Sequence, residues 1–404
     1  MASIWKVATA RIGYMAARSN VARASAMALV ACLCLSGASV AGEAPAVARS
    51  PGKVGLGKVL TSKSGGQIFG FDIDQSGDDG VLATAADVET FDQDSGKIKR
   101  SFGKNLGPDS DYVVNGIAGG DVGLIEVEKV PQGHLYPRRS YKVMNPVTAN
   151  KFTGEWTPPR KGLIAQAMST DQSTETSLLF ALTDLKSGEK PVLVVSDVGA
   201  NTFGKLIFLD PNLFCLCDGP QLGEYTKDNA AVFALSPDGG TVGGEAPVNV
   251  LVDLSTGKAT QFNGYNNGFY HAGYVNGLAV DPQTGVAATT TELNSQVEFY
   301  DLNKQAGITY AQLPCTDDTD QTNSGSGIAV DPVNKLFLVT DQFYCDGSQG
   351  SAIVVYDEAG NLVETITGFN LAIGEGAPAL NPGKRMGWVF SGPDGFNQLQ
   401  QFFY

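Results

Sequence analysis

The chain has 404 residues, among them 49 Gly, 19 Pro, 13 Tyr and 20 Phe, with 17% charged residues and a formal net charge of -14. A balance this acidic argues against nucleic acid and anionic lipid as partners, because both demand clustered Lys and Arg. Many turn formers and β-formers with few long amphipathic stretches point to an all-β chain, a class in which length is a poor guide to domain number.

Residues 1–41 read as a secretory signal peptide. Lys6, Arg11, Arg18 and Arg23 precede the apolar run from Ala24 to Leu35, and Ser39, Val40 and Ala41 supply the small residues of a cleavage site. A start at Met15 would give a leader of more ordinary proportions. A competing reading makes Cys32, after Leu29, Val30 and Ala31, a lipidated cysteine, although the apolar run continues beyond it. Losing the leader removes four positive and no negative charges, which moves the net charge from -14 to about -18. No later stretch approaches the ~18 to 20 apolar residues of a membrane-spanning helix. The mature protein is therefore expected to be exported, with a disordered linker over 42–53 and one domain over 54–404.

That domain is built of repeats. Phe233-Ala-Leu-Ser-Pro-Asp-Gly-Gly240, Leu278-Ala-Val-Asp-Pro-Gln-Thr-Gly285 and Ile328-Ala-Val-Asp-Pro-Val-Asn-Lys335 are apolar strands that break into a Pro turn. Weaker copies begin at Phe71, Asn115, Phe180 and Ala377. The last full unit reads as four strands: the anchor strand, then Leu336 to Asp341, Ala352 to Asp357 and Leu362 to Ile366. The segments Val192–Asp197 and Lys205–Asp210 are aligned with the second and third of these. An Asp closes the third strand at Asp92, Asp210, Asp253, Asp301 and Asp357, where its side chain is expected to lock the turn that follows. Four-stranded units repeating at this period predict a β-propeller of about seven blades, with six or eight left open by residues 162–176. Val54 to Leu60 is an orphan strand, and the last unit is one strand short; an N-terminal strand completing the last blade removes both free edges.

Cys32 and Cys34 belong to the leader. Cys215, Cys217, Cys315 and Cys345 remain for an oxidising compartment, where they allow three pairings. Cys315 with Cys345 is favoured, since both fall on the face where strand-4 to strand-1 and strand-2 to strand-3 connections emerge. Cys215 and Cys217 in one strand would sit ~6.5 to 7 Å apart, at the limit of disulfide geometry.

The same face carries the candidate chemistry. Carboxylates recur near the end of the second strand, at Asp87, Glu128, Asp197, Glu245, Glu292, Asp341 and Asp394, as solvated acids or as a ring that takes a cation. Tyr265, Phe269, Tyr270, His271 and Tyr274 crowd one inter-blade connection, as a ligand-binding surface or as a plug over the blade joint. Asp72 to Asp78 opens like a calcium loop, but Ala83 stands where the bidentate Glu is needed, so a plain turn is expected. With only His134 and His271 there is little material for a Ser-His-Asp arrangement.

The pattern Gly-Ile/Leu-Ala-Val-Asp-Pro, then Leu-Phe-Leu-Val-Thr-Asp, then Ile-Val-Val-Tyr-Asp resembles the NHL and YVTN class of bacterial propeller repeats, and less closely the gluconolactonase-like propellers. The resemblance spans about residues 54–404 and implies the fold more sharply than any activity. Gluconolactonase-like propellers carry divalent-metal ligands at Asn-Gly and Glu-Gly pairs. That likeness implies a set of Glu375, Asn115, Asn276 and Asp341 or Asp197, whose oxygen donors suit Ca or Mg. The set departs from that family in two ways: Ser326-Gly327 lacks a ligand, and the Glu-Gly pair falls in the last unit. The leading functional reading is a monomeric, non-catalytic scaffold that binds a protein or small-molecule ligand through its loop face, with or without a structural calcium. A metal-dependent lactonase-like hydrolase is the alternative. A third reading is a subunit of a redox enzyme, for which no cofactor-attachment motif is present.

Overall fold

Runs such as Val81-Leu-Ala83, Leu178-Leu-Phe-Ala181 and Val192-Leu-Val194 are apolar at every position rather than at alternate ones, so both faces of their strands must be covered. The computed structural model describes residues 54–404 apart from 108–109, 130–137, 157–163, 183–189, 212, 215–220, 236–247, 264–274, 292–295, 315–323, 346–347, 371–375 and 393–396.

The first strand is β1 (Gly55–Thr61). Blade 1 comprises β2 (Ile68–Ile73), β3 (Asp79–Thr84), β4 (Val88–Asp92) and β5 (Ile98–Phe102). Blade 2 comprises β6 (Ser110–Ala118), β7 (Val122–Lys129), β8 (Arg138–Met144) and β9 (Gly154–Trp156). Blade 3 comprises β10 (Ile164–Thr170), β11 (Thr176–Leu182), β12 (Pro191–Asp197) and β13 (Thr202–Phe208). Blade 4 comprises β14 (Gln221–Tyr225), β15 (Ala230–Leu235), β16 (Val248–Asp253) and β17 (Ala259–Asn263). Blade 5 comprises β18 (Val275–Val280), β19 (Val286–Thr291), β20 (Gln296–Asp301) and β21 (Ala306–Gln312). Blade 6 comprises β22 (Ser324–Asp331), β23 (Leu336–Cys345), β24 (Ser348–Asp357) and β25 (Leu362–Thr367). Blade 7 holds β26 (Ala379–Asn381), β27 (Met386–Ser391) and β28 (Gln398–Phe403), and β1 pairs with β28 as its outer strand.

The protein is thus an all-β propeller of seven four-stranded antiparallel sheets, closed by the N-terminal strand completing the last blade, as the sequence predicts. Among the described residues, seven apolar clusters fill the joints between blades. Because successive side chains of a strand point to opposite faces, each blade serves two joints. Leu178 and Phe180 of β11 pack toward blade 4, while Leu179 and Ala181 pack toward blade 2. Aromatic rings fill the wider joints: Phe299 meets Phe337 with centroids 5.5 Å apart, and Phe91 meets Trp388 at 5.5 Å.

Two blades differ from the sequence-based assignment. Phe180 and Phe233 lie in the second strands of their blades, β11 and β15, and the first strands are β10 and β14. Residues 164–170 are therefore a full inner strand. Val192–Asp197 is a third strand and Lys205–Phe208 belongs to a fourth. Asp197, not Asp210, is the turn-locking Asp of blade 3: its Oδ1 accepts from the Ala200 amide at 2.7 Å. Equivalent bonds run to Ser255 and Thr256 from Asp253, at 2.7 and 2.9 Å, and to Asn303 and Lys304 from Asp301, at 3.0 and 3.1 Å.

Candidate functional site

Each inner strand starts at one rim of the ring, here termed the upper rim, and ends at the lower. The upper rim receives the strand-4 to strand-1 and strand-2 to strand-3 connections, and the lower rim the remaining turns. In five blades the inner strand carries a β-bulge near its upper end, at Phe69, Asn115, Gln166, Asn276 and Ser326. A bulge inserts one unpaired residue and re-aims its side chain. Asn115, Asn276 and Ser326 thus occupy equivalent places in the ring, and the glycine after each has a packing reason. A Cβ on Gly116, whose φ is +146°, would collide with Thr170 of the next blade, and one on Gly327 with the backbone of Gly376 and Ala377. The x-Gly pair is what lets neighbouring inner strands approach closely.

The amide of Asn115 donates to Glu126 Oε2 at 3.3 Å, and Glu126 Oε1 pairs with Arg139 Nε at 2.9 Å. Asn276 is half-buried on β18 and also has an interaction partner. Asp341 is fully buried on β23, on the face that carries Phe337 and Val339 into the joint with blade 5. Neither of its oxygens accepts a hydrogen bond, and burial alone pushes its carboxyl up to about 7. Asp197 lies at the lower rim, away from Asn276 and Asp341 at the upper. Glu375 falls outside the described residues, as do Tyr265, Phe269, Tyr270, His271, Tyr274 and Cys315. Cys345 is placed by its backbone at the tip of the β23–β24 hairpin, opposite Ser348. Among the described residues, no three of His, Cys, Asp and Glu form a group able to hold a metal ion.

The recurrent Asp-Pro pairs are structural. Asp281 and Asp331, both fully buried, accept from the amides of Gln283 and Val333 at 2.7 and 3.0 Å, and the Tyr404 hydroxyl donates to Asp331 at 2.9 Å. Asp74 accepts from the amide of Ser76 at 2.8 Å, so the calcium-like stretch is a strand-1 to strand-2 turn, as expected.

The inner strands wall a cavity on the axis of about 230 Å³, and it opens on the rim that the sequence does not single out. At its lower end it is lined by Asp72, Asp171 and Glu224. Asp72 accepts from the Ile117 amide at 2.7 Å, and burial raises its carboxyl to about 6. Glu224 is 8% exposed; burial first and the charge of Asp171 second raise it to about 7, against a hydrogen bond from Thr176 at 2.9 Å. Sequence reasoning misses Glu224 because its strand reads as a connection. Asp171 falls in a stretch to which no strand is assigned.

No protein-family model matches the chain, and neither does any curated protein sequence. Solved structures do match. The structure of U3-55K superposes with a TM-score of 0.57 at 12% identity, covering 86% of this chain and 98% of that one. The RRP9 WD40 repeats give 0.57 at 11% identity, covering 87% and 98%. At such identities the likeness is one of fold, and this chain is a seven-bladed propeller similar to the WD40 class.

Proposed function

We propose that this chain is an exported scaffold that binds a protein or small-molecule ligand through its upper face. The observation that carries this reading is the difference between the two rims. At the lower rim the connections are tight turns, such as 254–258, 302–305 and 358–361, several of them locked by an Asp, apart from the nine-residue 145–153 of blade 2. At the upper rim they include 236–247, 264–274 and 313–323. Long connections on a rigid frame are where folds of this kind carry recognition. The similarity to WD40 structures supports a role in protein contacts, and the leader over 1–41 supports export. The NHL and YVTN likeness of the repeats is compatible with both.

The test replaces 264–274, which contains Tyr265, Phe269, Tyr270, His271 and Tyr274, by a short Gly-Ser turn. Surface partners are then cross-linked to the native and shortened proteins on the producing cell. A partner held only by the native chain, with both chains melting alike, is the expected result; identical capture by both overturns the assignment of this face.

A metal-assisted, lactonase-like reading has one observation in its favour, the buried and unpartnered carboxylate of Asp341, a hard oxygen donor of the kind calcium or magnesium prefers. It requires Asn115, Asn276, Asp341 and Glu375 to converge on one cation. A stoichiometric divalent ion in the purified protein, lost in Asn276→Ala, is its test.

A further inference from the structure

The closing strand is poorly specified by its own apolar pattern. Of the seven residues of β1 one, Leu60, is buried, two are glycine, and Val59 is exposed. Such a strand can slide along its neighbour by two residues without changing faces. Its ladder to β28 is also broken: Gly57 and Lys58 bulge opposite Gln401, between the pairs Leu56–Phe402 and Val59–Gln400. Glutamine side chains take up the backbone freed by this bulge. Gln401 Oε1 accepts from the Lys58 amide at 3.1 Å, and Gln400 Nε2 donates to the Lys58 carbonyl at 3.1 Å.

From there the bonds cross the joint to blade 1. Gln401 Nε2 donates to the Gln93 carbonyl at 2.8 Å, and Gln93 Nε2 donates to the carbonyls of Asp74 and Asp79 at 2.8 and 2.7 Å. Gln93 Oε1 accepts from Asn381 Nδ2 of β26 at 3.0 Å, which closes the circuit on blade 7. Gln93, Asn381 and Gln401 are all at most 2% exposed. Asn381 precedes Pro382 at the place that Asp281 and Asp331 hold before Pro282 and Pro332 in blades 5 and 6. Its Oδ1 accepts from the Lys384 amide at 3.2 Å, as those aspartates accept from their own turns. Its Nδ2 faces three acceptors, Gln93 Oε1 and the carbonyls of Asp74 and Gly77. A carboxylate could only accept, so blade 7 needs Asn here because the side chain must donate across the joint.

We propose that Gln400, Gln401, Gln93 and Asn381 form a register lock for ring closure, holding β1 at one place on β28 and on its own chain. Cutting the lock lets β1 slide, or pair with blade 7 of a second copy. The lock takes no residue from the upper-rim connections, so it stands or falls apart from the function proposed above.

The experiment combines Thr61→Cys with Gln398→Cys, partners across the β1–β28 ladder, and follows the disulfide between them by mass spectrometry. Paired positions lie ~4.5 to 5.5 Å apart, within disulfide reach, and a slip of two residues adds about 7 Å along the strand. In the otherwise native protein the link is expected to form within one chain. In Gln401→Leu, and in the near-isosteric Asn381→Asp, it is expected to fall by about fivefold or more, replaced by unlinked chains or links between chains. Leu60→Ala removes the apolar anchor but leaves the amides, and is expected to keep the link. Gln400→Ala, which spares the bonds to blade 1, is the milder cut if either variant fails to fold, with the same expected direction. Undiminished linking in the folded variants, or an equal fall in Leu60→Ala, overturns the proposal.

Discussion

An ionised carboxylate without a donor or counter-charge is among the costliest groups a protein interior can hold. Asp341 is in that position: fully buried beside Phe337, Val339 and Tyr356, with neither oxygen bonded. Its carboxyl is raised from 3.8 to about 7 by burial. The folded state therefore holds this proton to higher pH than the unfolded chain does, and stability falls as pH climbs between those two values. At ~1.4 kcal/mol per unit the ceiling of the effect is about 4 kcal/mol. Asp341→Asn, which cannot ionise, is expected to stabilise the protein by roughly 2–4 kcal/mol at about pH 8 and by nothing measurable near pH 4. Urea unfolding in chelator-containing buffer at both pH values checks this. Destabilisation of the variant at the higher pH would mean that the ionised carboxylate has a stabilising partner within the folded chain.

At the scale of the element, the closing strand carries a sharper test than its position at the chain end suggests. Leu60 of β1 is 1% exposed and packs with Phe91, Trp388 and Leu399 in the joint between blades 7 and 1, whereas its neighbour Val59 is 54% exposed. Leu60→Ala is expected to cost about 2–4 kcal/mol in denaturant unfolding, and Val59→Ala less than about 0.5 kcal/mol. Equal small effects would mean that β1 is dispensable. This strand is legible in the sequence because closure is a counting argument: one orphan strand and one short blade. Blades 3 and 4 are legible in number but not in register. Phe233-Ala-Leu before Ser-Pro looks like Leu278-Ala-Val before Asp-Pro, yet one is a second strand and the other a first. Inner and second strands are both apolar on two faces, both short, and both followed by turn residues, so composition does not separate them. That slip of one strand moves Asp197 to the wrong rim and keeps Glu224 out of view. The turn-locking Asp residues are legible at Asp92, Asp253, Asp301 and Asp357 because that chemistry is local to four residues. Acids gathered from blades 1, 3 and 4 depend on ring geometry, which no local window contains.

For the molecule as a whole, the acids separate into two populations with opposite effects on stability. Asp92 and Asp253 are held below the usual carboxylate range by hydrogen bonds from their own turns. Asp301 is held there too, its partial burial outweighed by Lys304 and the turn amides. Their contribution is present above about pH 4 and lost as pH falls through their lowered values. Asp72 and Asp121 are raised to about 6, and Glu224 and Asp341 to about 7, burial being the largest cause for each. In these four the folded state keeps the proton longer than the unfolded chain, so stability is lost as pH rises from about 4 toward 7 and levels off above. The two trends meet at a stability maximum in mildly acidic solution, near about pH 4 to 5. General repulsion among the excess acids of a chain with net charge -14 acts in the same direction but is screened by salt, whereas the desolvation of buried groups is not. Melting followed from about pH 4 to 9 in low and high salt separates the two. The expected result is a melting temperature that declines between about pH 5 and 7.5 even at ~0.5 M salt, and that loses part of this decline in Asp341→Asn. A melting temperature rising across that interval would overturn the assignment of these carboxyls as buried and protonated.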